Sequence, residues 1–569
     1  MSQSSPCGIP GRICPGVDAS SRICGEYLKL DFDSAGVLRS ARLHYPENFS
    51  FAYDVVDRLA QKDPSRRAML WIGRDGEEKM FTFRDMSELS MRAANYLAHS
   101  GIRKGDRVVL ALRRNWQFWV IFLACSRIGA VCALVNNQLL EADFKYRFDK
   151  LHASAVFCSA MDKTVESAGA AAGRTPDIRL RISTFGARNN WHDFDAEFMN
   201  FPPDYPRPAD HRASDPLLIF FSSGTTGFPK AIVHSHTYPL GHIMTAGWWQ
   251  NVNPDGLHWT ISDTGWAKSM WGKLFGQWLC EAAVFVYDFD RFHAAELMGM
   301  FRKYHITTFC APATMFRFFI KEGLEEYDFS SLEHVGMAGE ALNPEVMNRF
   351  ARQTGHVIHE GFGQSETPVV IGNGTGITPK PGSMGKPNPV FQVALLDSSG
   401  HEVRQGETGE ICIHAQPGEI PGLLTGYYGD EESFRQVWHD GYYHLGDTAW
   451  QDGDGYYWYV GRVDDVIKSS GYRIGPFEIE SCLMELPYIL ECAVVGAPDP
   501  VRGQVVKAYI VLTRGKTSSP ELVREIQEYV KTHTAPYKYP RAVEFMESLP
   551  KTVSGKIIRK ALRELARKE

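Results

Sequence analysis

No stretch of this chain is long enough and apolar enough to read as a membrane span. The longest candidate, WVIFLACSRIGAVCALV (119–135), carries Arg127 in its middle and falls short of the ~20 residues a bilayer needs. It predicts a buried helix leading into a strand. Patterned cysteine is also missing. The eleven cysteines are an odd number without repeated spacing, which argues against a disulfide framework and for a reduced protein. Cys7, Cys14 and Cys24 lie close together but lack the CxxC spacing of a zinc site. There is little excess charge: a formal net charge of −6 over 569 residues argues against nucleic acid as an obligatory partner. The first residues, MSQSSPCGIPGRICPG, have no signal-peptide apolar run, and their prolines and glycines forbid an amphipathic transit helix, so the expected location is cytoplasmic. Repeats and low-complexity tracts are absent as well.

What remains is ordinary globular composition, 44% hydrophobic and 22% charged, in a chain long enough for several compact units. Residues 1–45 read as an irregular lead-in. From about 50 onward helices and strands alternate. FTFRDMSELSMRAANYLAHSGI has a helical apolar period, DRVVLAL reads as a buried strand, and the alternation continues through PLLIF (216–220), AAVFVY (282–287), AAELMGMFRKYHI and TTFCAPA (307–313). Such alternation predicts an α/β fold with a largely parallel, doubly wound sheet whose ligands bind at strand carboxyl ends. After about residue 385 short strands with Ser-Gly and Asp-Gly turns predict a β-rich subdomain. Asp452 and Asp454 suggest a calcium loop only superficially, because Tyr456 stands at the next ligand position; a hairpin turn is expected instead. Beyond Gly461 a compact α+β unit follows, with helices at FEIESCLMEL and PELVREIQEYVKTH and strands at ILECAVVGA and QVVKAYIVL.

The most distinctive segment is FSSGTTGFPK, residues 221–230. A glycine-rich loop after a strand presents bare backbone N–H groups to an anion, and a lysine can neutralise it. The spacing is not that of a Walker A loop: Gly224 and Gly227 are three apart, and Phe228-Pro229 separates them from Lys230. Four further segments follow: VGMAGEAL (335–342), EGFGQSET (360–367), YHLGDTAW (443–450) with GRVDDVIKSSGYRIGPFEIE (461–480), and PKTVSGKIIRK (550–560). In this order and at these separations the five resemble the motifs of the adenylate-forming superfamily of acyl-CoA synthetases, adenylation domains and luciferases. The resemblance covers roughly residues 50–569.

The residue chemistry fits that resemblance. A free carboxylate is a poor electrophile; joined to the α-phosphate of ATP it gains AMP as a leaving group. Holding the departing pyrophosphate suits the amides and hydroxyls of Ser222, Ser223, Gly224, Thr225, Thr226 and Gly227, with Lys230 and Mg²⁺. Glu366 resembles the family's Mg²⁺-associated glutamate. Gly339, Glu340 and Ala341, with Glu360, Gly361 and Phe362, match the segments that wall the adenine, and Gly363, Gln364 and Ser365 continue the nucleotide-binding motif. Asp447 matches the carboxylate that accepts from both ribose hydroxyls, and Arg462 an arginine that also reaches the ribose. Lys556 resembles the lysine that touches both the acyl carboxylate and the α-phosphate. Asp464 matches the hinge about which the small domain rotates between half-reactions, which implies a large domain over 1–463, with its β-rich subdomain over about 385–463, and a small mobile domain over 464–569. Arg473 resembles an adenylate contact, and Gln138, Ser470, Gly471, Tyr472 and Arg502 a path for CoA.

Acetyl-CoA synthetases carry tryptophan where this chain has Gly363, so acetate is not expected. Gly363, SDTGWAK (262–268) and APYKYP (535–540) together resemble the medium-chain acyl-CoA synthetase branch. Trp266 and Ser365 are then candidate pocket residues, Trp266 equally readable as core packing. The resemblance implies a soluble ligase that uses ATP, Mg²⁺, CoA and a medium-chain, branched or aromatic acid, with no nucleic acid and no integral membrane association. Two alternatives are an acyl-AMP ligase that loads a carrier protein and a non-catalytic nucleotide- or acyl-binding regulator.

Overall fold

A computed structural model describes residues 22–34, 36–222, 229–470, 472–551 and 557–568, with Arg473 given by its backbone alone. Several expectations fall on other positions: Cys7 and Cys14, Ser223 to Gly227, Gly471, Lys556 and the Arg473 side chain lie outside the described residues.

The predicted alternation of helices and strands builds two large sheets rather than one. The eight-stranded sheet has a parallel centre in which Val131–Leu134 pairs with both Pro216–Phe221 and Arg107–Ala111, followed by Ala155–Ser159 and Leu180–Thr184. In the nine-stranded sheet Ile358–Gly363, His334–Ala338, Thr308–Ala311, Leu257–Thr260, Ala283–Tyr287 and Arg67–Ile72 run parallel in that spatial order. One core spans both, containing Val108 and Leu110 of the first sheet, Met69, Val284 and Val286 of the second, and Phe118 to Cys125 of the helix Gln117–Ile128 between them. That helix is buried on every face, as a helix between two sheets must be. The outer faces are covered separately: Val109 and Ala111 pack with Phe144 and Ala168, and Trp259 and Phe285 with Phe301 and Phe316.

Arg127 resolves the charge inside the apolar run. Its guanidinium is fully buried and bidentate on Asp57, at 2.9 and 2.6 Å, while Nε donates to Ser90 Oγ at 3.0 Å. The lead-in is more ordered than expected. Leu28–Phe32 and Leu38–Leu43 form an antiparallel hairpin, and Ala41 N donates to Pro389 O. The period-two alternation of LKLDF and LRSARL, hinged on a turn after Asp33, was the local signal.

The β-rich subdomain is a five-stranded sheet in which Gly409–His414 and Tyr457–Arg462 flank Tyr442–Gln451. The expected hairpin turn closes it: Asp452 N donates to Tyr456 O, and Asp452 and Asp454 both hold Lys380, at 2.8 and 2.6 Å. Sheet membership changes at the turn 463–465. The next strand, Ile467–Ser469, belongs to a separate five-stranded sheet with Gly503–Leu512 and Ile489–Asp499, covered by the helices Pro476–Leu483 and Pro520–His533. Replacing Arg127 with Met should destabilise the large domain by about 3–5 kcal/mol, since Asp57 is left as an uncompensated buried charge. Adding Asp57→Leu should recover much of that loss in urea unfolding, whereas additive losses would contradict the pairing.

Candidate active site

The centre of the site is a β-bulge. Cys412 pairs with His444 and Glu410 with Thr448, so two steps on one strand span four on the other. The surplus lies among Leu445, Gly446 and Asp447, with Asp447 still in the buried phase of the strand that it shares with Tyr443 and Leu445. Gly446 makes this possible, because its φ is +70° and a Cβ there would lie 3.3 Å from the Arg462 guanidinium. Asp447 is 5% exposed. Gln364 Nε2 donates to its Oδ2 at 2.5 Å and to Leu445 O at 2.7 Å, and Tyr459 OH donates to its Oδ1 at 3.0 Å. Arg462, opposite Asp447 in the strand register, stands 3.9 Å from Oδ2. Burial and the neighbouring carboxylate hold the Tyr459 phenol well above its usual range, so it stays a donor. Burial opposes the charge on Arg462, but Asp447 and Asp464 more than offset that and raise its pKa.

A second chain of contacts joins the FSSGTTGFPK segment to the EGFGQSET segment. Ser222 N donates to Lys230 O at 3.0 Å, bringing the described flanks of the loop together. Lys230 Nζ lies 5.0 Å over the ring of Tyr427, whose hydroxyl donates to Glu366 Oε1 at 3.2 Å. Glu366 is half-buried; burial raises its pKa, against the Tyr427 hydrogen bond and the charges of Arg462 and Lys230. A carboxylate so placed, beside a lysine and next to the loop, is the oxygen ligand type that a hard divalent cation takes together with phosphate. Below this loop the carbonyl of Ser365 accepts from His234 Nε2 at 2.8 Å. Burial pushes His234 down to about 4, so its ring is neutral, with Nε2 as the donor that a carbonyl requires.

The segments expected to wall the adenine also converge here. Gly339 has φ +105°, and the carbonyl of Ala338 beside it accepts from Lys268 Nζ at 2.5 Å. Glu340 accepts from both the amide and the hydroxyl of Thr314 at 2.8 Å, and Ala341 follows it, half-buried. Glu360 is 6% exposed, and burial raises its carboxyl to about 8. Phe362 lies 6.1 Å from the Tyr459 ring. Gly361 has no room for a side chain, since a Cβ would meet Trp249 at 2.3 Å.

Gly363, expected to open the acyl pocket, lies exposed next to the backbone of Pro368. A Cβ there would lie 2.4 Å from Pro368 O, so the missing side chain has a backbone reason and would project into that backbone rather than into open space. Trp266 is half-buried and precedes the helix Ala267–Lys273, its carbonyl accepting from Ser269. The tryptophans seated against the glycine-rich strands are others, Trp249 at Gly336, Gly361 and Gly372 and Trp248 at Gly372 and Gly374, and Trp271 lies 5.9 Å from Trp249. Gly336, Gly361 and Gly372 fall on three separate strands, 25 and 11 residues apart, so no local signal in the sequence marked a shared partner. Sequence reasoning likewise missed Tyr427, Tyr459, His234 and Lys268, which lie outside or at the edge of the quoted motifs.

The expected CoA contacts divide. Ser470 N donates to Arg502 O at 3.0 Å and Arg502 Nη1 reaches Ser470 Oγ at 3.3 Å, so these two are together. Tyr472 is exposed and stacks on Tyr537 with centroids 4.1 Å apart. Gln138 sits on the large domain, exposed, with its amide on Asn136 Oδ1. Asp464 occupies the exposed turn where the sheet changes.

Comparison with known proteins agrees with this geometry. Residues 56–428 match the family described as AMP-binding enzyme, and residues 478–556 match the AMP-binding enzyme C-terminal domain. The mitochondrial acyl-coenzyme A synthetase ACSM3 of Homo sapiens is 39% identical over 549 residues, covering 95% of this chain and 92% of the relative. Among solved structures, the anthranilate CoA ligase AuaEII in complex with anthranoyl-AMP superposes with a TM-score of 0.84 at 27% identity, over 92% of this chain and 98% of the other. A benzoate CoA ligase from Burkholderia xenovorans LB400 gives 0.79 at 26%, over 90% and 100%. Among the described residues no helix is long and apolar enough to cross a membrane. The ACSM3 relative's mitochondrial designation does not bear out the cytoplasmic expectation for this chain.

Asp447→Asn should weaken ATP binding about 10- to 100-fold in calorimetric titration, since hydrogen bonds to a charged partner are at stake. Tyr459→Phe should weaken it less. Unchanged affinity in a folded Asp447→Asn protein would remove Asp447 from the site.

Proposed function

This chain belongs to the AMP-binding enzyme family, and from that premise we propose that it is an ATP-dependent carboxylate–CoA ligase that forms acyl-CoA, AMP and pyrophosphate through an acyl-adenylate. The observation that carries the reading is the Asp447 constellation. A buried carboxylate, oriented by Gln364 and Tyr459 with Arg462 beside it, suits the paired hydroxyls of a ribose. The loop flanked by Ser222 and Lys230 has the residue types that suit phosphates. Magnesium, when bound with ATP, would screen phosphate charge, and Glu366 is the residue to hold it.

In the first half-reaction a carboxylate oxygen attacks the α-phosphorus and pyrophosphate leaves. Two anions must meet, so fixed positive charge is worth most in the transition state, the role proposed for Lys230 and Lys556. In the second, the CoA thiolate attacks the acyl carbon and AMP leaves. The turn at Asp464 is the proposed hinge between the two arrangements, and Ser470, Tyr472 and Arg502 lie on the side that would meet CoA.

The acid is proposed to be of medium length, branched or aromatic. Support comes from the aromatic ring of Trp249 packed against Gly336, Gly361 and Gly372 and from relatives named for anthranilate and benzoate. Pyrophosphate release across a series from acetate through butyrate, methylbutyrates, hexanoate and octanoate to benzoate, with and without CoA, tests this. Turnover should peak above acetate and require CoA; a maximum at acetate would sink the pocket reading, and thioester formation only on a carrier protein would sink the CoA assignment. Lys556→Ala should lower adenylation by at least ~100-fold while leaving thioester formation from supplied acyl-AMP far less affected. Equal losses in both steps would contradict its role.

A further inference from the structure

On the small β sheet, beside the bulge that carries Asp447, three side chains of metal-binding type with no role assigned above converge. Glu410 and Cys412 are two apart on one strand and so share a face, and His444 is the cross-strand partner of Cys412. Cys412 Sγ lies 3.4 Å from His444 Nδ1, which lies 3.1 Å from Glu410 Oε2, and all three ligand atoms fall within 4.8 Å of one another. A tetrahedral zinc with Zn–N near 2.0–2.1 Å and Zn–S near 2.3 Å requires edges of about 3.6 Å for S to N and about 3.3 Å for N to O. The observed separations already approach those edges.

Burial and charge agree. Cys412 is fully buried, the His444 and Glu410 side chains are 11% and 26% exposed, and the imidazole nitrogen that meets both of the other donors is Nδ1. The other carboxylate oxygen, Glu410 Oε1, accepts from Gly446 N at 3.0 Å, which fixes the ligand in the way metal carboxylates are usually fixed. His439 stacks on His444 with centroids 3.7 Å apart and shields the ring. One thiolate, one carboxylate and one neutral imidazole give a set of charge −2, so a divalent ion would leave the buried cluster neutral.

The geometry points to a binding site for a borderline divalent transition metal, zinc above all, formed by Glu410, Cys412 and His444. Mixed sulfur, nitrogen and oxygen donors in near-tetrahedral array select this class over magnesium or calcium, which take oxygen alone. Coordination by Cys412 forms one metal–sulfur bond and releases one thiol proton to solvent. The site would clamp the same bulge that presents Asp447, because Glu410 bonds both the metal and Gly446 N.

The test uses the full chain, freed of metal by chelator and titrated with Co²⁺, with Zn²⁺ as competitor. A thiolate-to-cobalt charge-transfer band saturating at about one ion per chain, and displaced by zinc, is expected. C412S should abolish it, H444Q should abolish or strongly weaken it, and E410Q should weaken binding about 10- to 100-fold. No band, or a band unchanged in folded C412S, overturns the site and leaves Cys412 as packing against Ala394 and Leu396. If the variants do not fold, X-ray absorption at the zinc edge of the wild-type protein decides. One sulfur with nitrogen and oxygen neighbours supports the site; an all-oxygen or all-sulfur shell overturns it.

Discussion

The site depends on keeping one carboxylate buried and charged. Taking Asp447 out of water costs several kcal/mol unless donors replace the solvent, and the donors come from separate segments. Gln364 arrives from the loop after the nine-stranded sheet, while Tyr459 and Arg462 arrive from the strand alongside. Satisfying one charge therefore ties the large α/β core to the β-rich sheet. The bulge at 445–447 and the left-handed Gly446 are the backbone's contribution, and Asp447 keeps the buried phase that it shares with Tyr443 and Leu445.

The same logic organises the ground around it. Lys230, Tyr427 and Glu366 form a chain of contacts that brings a cation, a phenol and a carboxylate to one edge of the eight-stranded sheet, where Gly426–Tyr427 pairs with Ala231–Ser235. Neutral His234 holds the carbonyl of Ser365 and so fixes the loop on which Gln364 and Glu366 sit. Burial raises both Glu366 and Glu360, the latter to about 8, and at Glu366 the Tyr427 hydrogen bond and the charges of Arg462 and Lys230 oppose that shift.

Much of the fold was legible locally. The helix Phe83–His99 begins at a Thr82–Asp85 capping box, and the strands Arg107–Ala111 and Ala283–Tyr287 are continuous apolar runs of the kind parallel sheets bury on both faces. The hairpin at 28–43 was missed although its short strands alternate locally, because the contacts that hold it, to Pro389 and the core, are long-range. The split into two sheets was equally hidden: strand periodicity shows that a strand is buried, not which neighbour it pairs with. Arg127 looked like an interruption until Asp57, seventy residues earlier, was seen to neutralise it.

By itself the sequence determined the order of elements, the glycine-rich loop and the set of charged motif residues, because periodicity, turn chemistry and residue type are local properties of the chain. Tertiary structure alone decided which of those residues meet. It seated Trp249 against Gly361, gave Gly363 a backbone reason, joined Gln364 and Tyr459 on Asp447, and set Cys412 across from His444. These are long-range contacts fixed by sheet register and a two-residue bulge, and register is settled only when whole strands bury their faces together.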